Sequence, residues 1–141
     1  MAKYYIDTNI FLRAIVNDNT IQSAKSQNFL KAIQRDKKNT YLISNFVILE
    51  IIFTLLSFYQ YKKGIVIEIL RSIVNTKNIK VENETYLLEA LEIFENHNID
   101  FVDCFSFVKA VNKKQVAGIY GFDKDFDKLP IKRIEPKATL S

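Results

Sequence analysis

The sequence predicts an α/β fold, a three-layer α/β/α sandwich around a five-stranded, mainly parallel sheet. Three observations predict it. Short apolar runs recur along the chain, and between them lie longer stretches whose apolar residues repeat at helical spacing. Turn residues separate the two kinds of segment in the order β-α-α-β-α-α-β-α-α-β-α-β. At 141 residues the chain is one domain's worth, expected over 1–136 with a loose tail at 137–141.

Each element has a local reason. Lys3 to Ile6 is apolar after its first residue and makes a first strand. Asp7-Thr8-Asn9 breaks it, and Ile10, Phe11, Leu12 and Ile15 open a helical pattern. Gln22 to Arg35 is a moderate helix, and Thr40 to Ile43 a second strand. Ser44-Asn45 caps a long apolar helix toward Tyr61, which Lys62-Lys63-Gly64 punctuates before a helix holding Ile65, Ile69, Leu70 and Ile73. Ile79 to Val81 is a third strand, and Asn83 caps a helix with Leu87, Leu88, Leu91 and Phe94. Asn96-His97-Asn98 ends it, with His97 as a solvated cap, and the next helix runs to about Lys114. Val116 to Tyr120 is a fourth strand released by Gly121. Asp125 to Leu129 is a turn of helix before Pro130, and Lys132 to Glu135 is a last strand.

Composition excludes several kinds of chemistry. The chain has one His, one Cys, one Met and no Trp. A lone Cys104 rules out an intramolecular disulfide and any multi-Cys zinc site, and a lone His97 rules out a His pair. The most hydrophobic segment, Phe46 to Phe58, is too short to span a bilayer and carries Glu50 inside it. No signal peptide is visible, so the expected location is cytoplasmic, with no membrane partner. The net charge of +4 is compatible with a polyanion. Any chemistry falls to the sixteen carboxylates.

In parallel sheets, ligands bind beyond the carboxyl ends of the strands. Asp7 directly follows the first strand, and Asp123 and Asp125 follow the fourth by a few residues. Glu50 is the only charge in its apolar helix, where Glu50, Thr54, Ser57 and Tyr61 fall on one stripe. That stripe faces either water or a polar cleft. Asp103 lies with Ser106 and Ala110 opposite an apolar face of Phe101, Cys104, Phe105, Val108 and Val111, and reads as a first-turn carboxylate or a cleft residue. Gathered together, such groups would repel: two unit charges about 4 Å apart cost about 4 kcal/mol at an effective dielectric of 20. A divalent cation relieves that repulsion, and hard oxygen ligands select Mg²⁺ or Mn²⁺. Such ions typically act on phosphoryl groups.

These residues resemble a known family. Ile6-Asp7-Thr8-Asn9-Ile10-Phe11-Leu12 is similar to the opening of PIN-domain nucleases, as is a Glu embedded in an apolar helix after the second strand. Asn98-Ile99-Asp100-Phe101-Val102-Asp103-Cys104 matches their third acidic block, and Gly121 to Leu129 the fourth. Within that family the chain is most similar to the VapC-type toxins of toxin–antitoxin pairs. The resemblance covers nearly all of residues 2–136 and implies a Mg²⁺- or Mn²⁺-dependent endoribonuclease, a homodimer, silenced by a small VapB-like antitoxin. Carried over by position, Asp7, Glu50 and Asp103 match three acidic ligands. Asp123 and Asp125 both fit the fourth, with Asp123 favoured and Asp127 left as a surface residue. Asp7 and Asp103 would hold the principal ion, Glu50 would position or deprotonate the attacking water, and Lys109 and Lys124 would meet the RNA backbone. The chain departs from the family at Gly121, where Thr or Ser is common, and at Cys104, where a small residue is usual; the thiol is expected to be buried packing.

Rival readings differ at named positions. A phospho-acceptor domain wants an acidic pair after the first strand, and Asp7-Thr8-Asn9 offers one carboxylate. A haloacid-dehalogenase-like phosphatase wants Asp-x-Asp there, and Asn9 denies it. The remaining alternatives are a PIN-like RNA-processing nuclease outside toxin–antitoxin systems and a PIN-like module that binds RNA or protein without cutting.

Overall fold

The computed structural model describes residues 1–113 and 116–137. The chain forms two compact units, Met1–Glu84 and Thr85–Ser141. In the first, β1 (Lys3–Tyr5), α1 (Thr8–Ile15), α2 (Thr20–Ile33), β2 (Thr40–Ile43), α3 (Asn45–Phe53), a π-helical turn (Thr54–Phe58), α4 (Lys63–Val74) and β3 (Ile79–Val81) follow one another. The second holds α5 (Glu84–Asn96), α6 (Phe101–Val111), β4 (Ile119–Tyr120), a 3₁₀ helix (Lys124–Lys128) and β5 (Arg133–Ile134). The class is α/β, and every strand pairing among the described residues is parallel.

In place of one five-stranded sheet, the strands among the described residues form a three-stranded sheet in the order β1-β2-β3 and a two-stranded sheet of β4 and β5. In the first sheet Tyr4 pairs with Tyr41 and Tyr41 with Ile79, so these side chains share a face, where the Tyr4 and Tyr41 rings stack. Two residues further on, Ile43 and Val81 pair on that same face, and both are buried. The intervening Leu42 and Lys80 point to the other face, where Lys80 is exposed. This is the period-2 pattern of a sheet whose better-buried face carries the β-branched residues. Around it the core of the unit is Phe11, Leu12, Ile33, Ile48, Ile51, Leu55 and Leu70, all buried.

Several boundaries differ from the sequence expectation. The long apolar helix does not run at α-helical spacing to Tyr61. From Thr54 it widens into the π-helical turn, where the Tyr59 amide donates to the Thr54 carbonyl at 3.1 Å. A π turn carries more residues than an α turn, so the stripe of Glu50, Thr54, Ser57 and Tyr61 ends at Thr54. The reversal then falls at Gln60, in the left-handed region with φ 55, rather than at Gly64, which lies in the first turn of α4. In the second unit, β4 begins at Ile119 rather than Val116. Gly118 explains the close approach that starts the ladder: a Cβ there would lie 2.6 Å from the Lys132 carbonyl oxygen. Helix α6 ends at Val111, short of the expected Lys114, which lies outside the described residues. Of the expected tail, 138–141 lies outside them too.

Unit Thr85–Ser141 has its own apolar core. Leu87, Ala90, Leu91 and Phe94 of α5 are buried, as are Phe101, Cys104, Phe105, Phe107 and Val108 of α6. Phe94 meets Phe101 edge-on at 5.7 Å, and Phe101 stacks on Phe105 at 6.1 Å. Cys104 is a packing thiol with 0% exposure, as expected from its helical position. His97, at the end of α5, shares a 3.0 Å hydrogen bond between Nδ1 and the Ile93 carbonyl. No helix among the described residues is long and apolar enough to cross a membrane.

The turn from α2 into β2 is held by one carboxylate. Asp36 accepts from the Tyr41 hydroxyl at 2.6 Å, from the Lys38 and Asn39 amides and from the Asn39 side chain. Asn78, left-handed at φ 71, ties the same turn to β3 by donating to the Ile33 and Asp36 carbonyls. These bonds, led by the one from Tyr41, hold the Asp36 carboxyl down to about 2. A depressed carboxylate stabilises the fold above its unfolded value and loses that effect as pH falls through the folded one. Asp36→Asn is therefore expected to lower the melting temperature by a few degrees at pH 7. In a calorimetric series the difference from wild type should persist through the ordinary Asp range and close as pH falls through about 2.

Candidate active site

Asp7 ends β1 and occupies the N-cap position of α1, with extended backbone at φ −77 and ψ 155. Asp is a preferred cap because its oxygen takes a first-turn amide. Here the carboxylate makes no such bond and is exposed. The next residue behaves differently. Thr8 is 2% exposed, and its Oγ1 donates to Glu50 Oε2 at 2.8 Å. Ser44 caps α3 by accepting from the Val47 amide at 3.3 Å, which fixes the start of the helix carrying Glu50. Glu50 is exposed, as the water-facing reading expects, but one of its oxygens is held by a buried hydroxyl.

The other three candidates lie in the second unit. Asp100 takes the N-cap position of α6 without a side-chain capping bond, and Asp103 follows in the first turn. Asp103 is half-buried, and burial, then the charges of Asp123, Asp100 and Asp125, push its carboxyl above the ordinary Asp value. Asp103 thus shares its surroundings with both candidates for the fourth position. Those two are not equivalent. Asp125 pairs with Lys128 at 2.9 Å, whereas Asp123 caps the 3₁₀ helix through Oδ1, accepting from the Asp125 amide at 2.9 Å. Asp123 Oδ2 carries no described bond. Asp127 is on the surface and meets Arg133 through both oxygens, at 2.9 and 3.2 Å. Of the two lysines singled out for RNA, Lys109 lies with Nζ 5.6 Å from the centroid of the Phe105 ring, and Lys124 is exposed.

Five carboxylates, no histidine and no thiol make an oxygen-only donor set, which suits a hard divalent cation. The raised Asp103 carboxyl reflects burial first and then the charges of its neighbouring carboxylates. As placed, no group of three His, Cys, Asp or Glu side chains among the described residues is close enough to hold a metal ion. The apolar groove lined by Phe11, Ile15, Leu30, Ile69 and Ile73 holds none of the five. Thr8 was missed as a participant by reading the sequence. Its only signal was its place beside Asp7, since its partner is 42 residues away.

The family model for the PIN domain matches residues 4–132, which include all five carboxylates. The chain belongs to the PIN domain family. Among curated proteins, this PIN domain is similar to the VapC ribonuclease of Aquifex aeolicus (strain VF5), at 24% identity over 131 residues covering 93% of this chain and 95% of that one. Among solved structures it is similar to Mycobacterium tuberculosis VapC20, described as a Sarcin-Ricin loop cleaving toxin. That similarity covers 94% of this chain and 99% of the other, with 17% identity and a TM-score of 0.41.

The Asp103 environment gives a signed prediction for this PIN domain. A carboxyl raised by burial and neighbouring charge opposes folding once it ionises, so its effect is absent at low pH and grows as pH rises through the raised value. Metal-free Asp103→Asn should melt at or above wild type at pH 7 and level with it at pH 3. Adding Mn²⁺ at pH 7 should raise the wild-type midpoint by more than it raises that of Asp103→Asn. Equal Mn²⁺ shifts would remove Asp103 from the ligand set.

Proposed function

We propose that this PIN domain is a Mg²⁺- or Mn²⁺-dependent endoribonuclease that hydrolyses RNA phosphodiester bonds as the toxin of a toxin–antitoxin pair. The observation that carries the reading is that Asp7 and Asp103 keep carboxylates with no hydrogen-bond or ion-pair partner among the described residues, each at a helix start that normally uses one. Its family and the absence of any lost acidic position favour cutting over a module that only binds. Residues 1–136 act as one domain in this reading, because the family match runs across the boundary at Glu84.

The roles follow from what each side chain has free. Asp7, Glu50, Asp103 and Asp123, the positions matched to the family's acidic ligands, would hold the ion, with Asp125 beside them, since its ion pair with Lys128 leaves it less available. When bound, the ion neutralises charge on the scissile phosphate and lowers the pKa of water. Glu50 orients or deprotonates the attacking water with the oxygen that Thr8 leaves free. Lys124 and Lys109 meet the RNA backbone, with a salt dependence set by phosphate neutralisation. The toxin role, a small VapB-like antitoxin, a homodimeric state and a cytoplasmic location are proposed from the resemblance to VapC-type toxins; the Aquifex relative is itself a VapC ribonuclease.

Cleavage of an RNA pool tests the activity. Wild type with Mg²⁺ or Mn²⁺ should cut, chelator should abolish cutting, and Asp7→Asn should slow it by at least about 100-fold. Equal cleavage in all three samples would overturn the reading.

A further inference from the structure

We infer that Thr8 is a positioning residue, which holds the Glu50 carboxylate in its working orientation through the 2.8 Å bond from Oγ1 to Oε2. The inference rests on Glu50 being a site carboxylate.

Thr8 is one of three buried polar residues among those described, with Ser23 and Ser26. Ser23 accepts from Gln27, four residues on in the same helix. Thr8 instead reaches from the first residue of α1 to the middle of α3. A hydroxyl has one proton to give, and this one is committed to Glu50. Packing alone does not call for it. Valine has nearly the same shape and would bury without needing an acceptor, while a buried hydroxyl is costly unless it is bonded.

The recipient also matters. Glu50 is exposed, and a free glutamate there would sample many rotamers. Thr8 fixes one oxygen and leaves the other available. Since Thr8 directly follows Asp7, one turn of chain presents the Asp7 carboxylate outward and anchors Glu50 inward. Partners that orient metal-binding carboxylates typically change affinity or activity by about 10–100-fold when removed.

The test compares Thr8→Val, Thr8→Ser and Glu50→Gln, using Mn²⁺ alone for binding and RNA for turnover. Thr8→Val should bind Mn²⁺ about 10–100-fold more weakly and lose kcat by a similar factor, with KM changed less than about twofold. Thr8→Ser, which keeps the hydroxyl, should restore both to within about threefold. The metal-free melting temperature of Thr8→Val should stay within about 3 °C of wild type, because Glu50 can take a water in place of the hydroxyl. A merely structural Thr8 would give the reverse, a lowered melting temperature with wild-type Mn²⁺ affinity and kcat, and that result would overturn the inference. Should Thr8→Val fail to fold, Thr8→Cys against Thr8→Ser makes the same comparison with a weak donor of similar size. Impaired Glu50→Gln with normal Thr8→Val or Thr8→Cys would sink the Thr8 inference alone. Normal Mn²⁺ binding and cleavage by Glu50→Gln would instead remove the reading of Glu50 on which it rests.

Discussion

Parallel pairing of β1, β2 and β3 is the constraint on which the first unit depends. It sends all three strands the same way, so every strand's carboxyl end lies at one edge of the sheet. Asp7 leaves β1 at that edge, Ser44 starts α3 there, and Glu82 follows β3. The polar groups at the edge bond to one another: Tyr5 donates to Glu82 at 2.8 Å, and Asn83 donates to Asn45 at 2.7 Å. The start of α3 is thereby tied to β1 and β3, and the position of Glu50 four residues into its apolar run follows. Burial of Ile48, Ile51 and Ile52 on the same helix holds its rotation.

Against that ordered edge, the carboxylates stand out by what they lack. Most polar groups near a strand end or helix start find a partner, as Asp36 does four times over. Asp7 and Asp100 sit where aspartate caps a helix and make no capping bond. Asp103 is raised by burial and by three neighbouring carboxylates. At Asp103 that placement opposes folding once the carboxyl ionises. The PIN domain match spans all five carboxylates, the setting of the proposed chemistry.

Much of this was legible in the residues. Thr40 to Ile43 and Ile79 to Val81 read as strands because β-branched and aromatic residues fill them, and Ser44 read as a cap because its hydroxyl suits the Val47 amide. Asp7, Glu50 and Asp103 stood out because each is a charge in an apolar setting. Other features depend on distant partners and left little local trace. The π turn at Thr54 and the left-handed Gln60 follow from how the end of α3 packs, and no glycine marks the place. Gly118 matters because Lys132 comes within 2.6 Å of where its Cβ would be, which spacing alone does not reveal. The Thr8 bond to Glu50 spans 42 residues, and in sequence the threonine passes for a helix-start residue. The Lys128 ion pair distinguishes the surroundings of Asp125 from those of Asp123, which spacing alone leaves alike.

The proposed function requires that carboxylates alone bind a divalent ion. Calorimetric titration of Mn²⁺ into wild type, Asp7→Asn and Asp123→Asn tests it most directly, without RNA and without any assumption about substrate. Wild type should bind saturably, with affinity weakened at least about tenfold by either substitution. Mn²⁺ affinity equal in all three proteins, or no saturable binding by wild type, would contradict it.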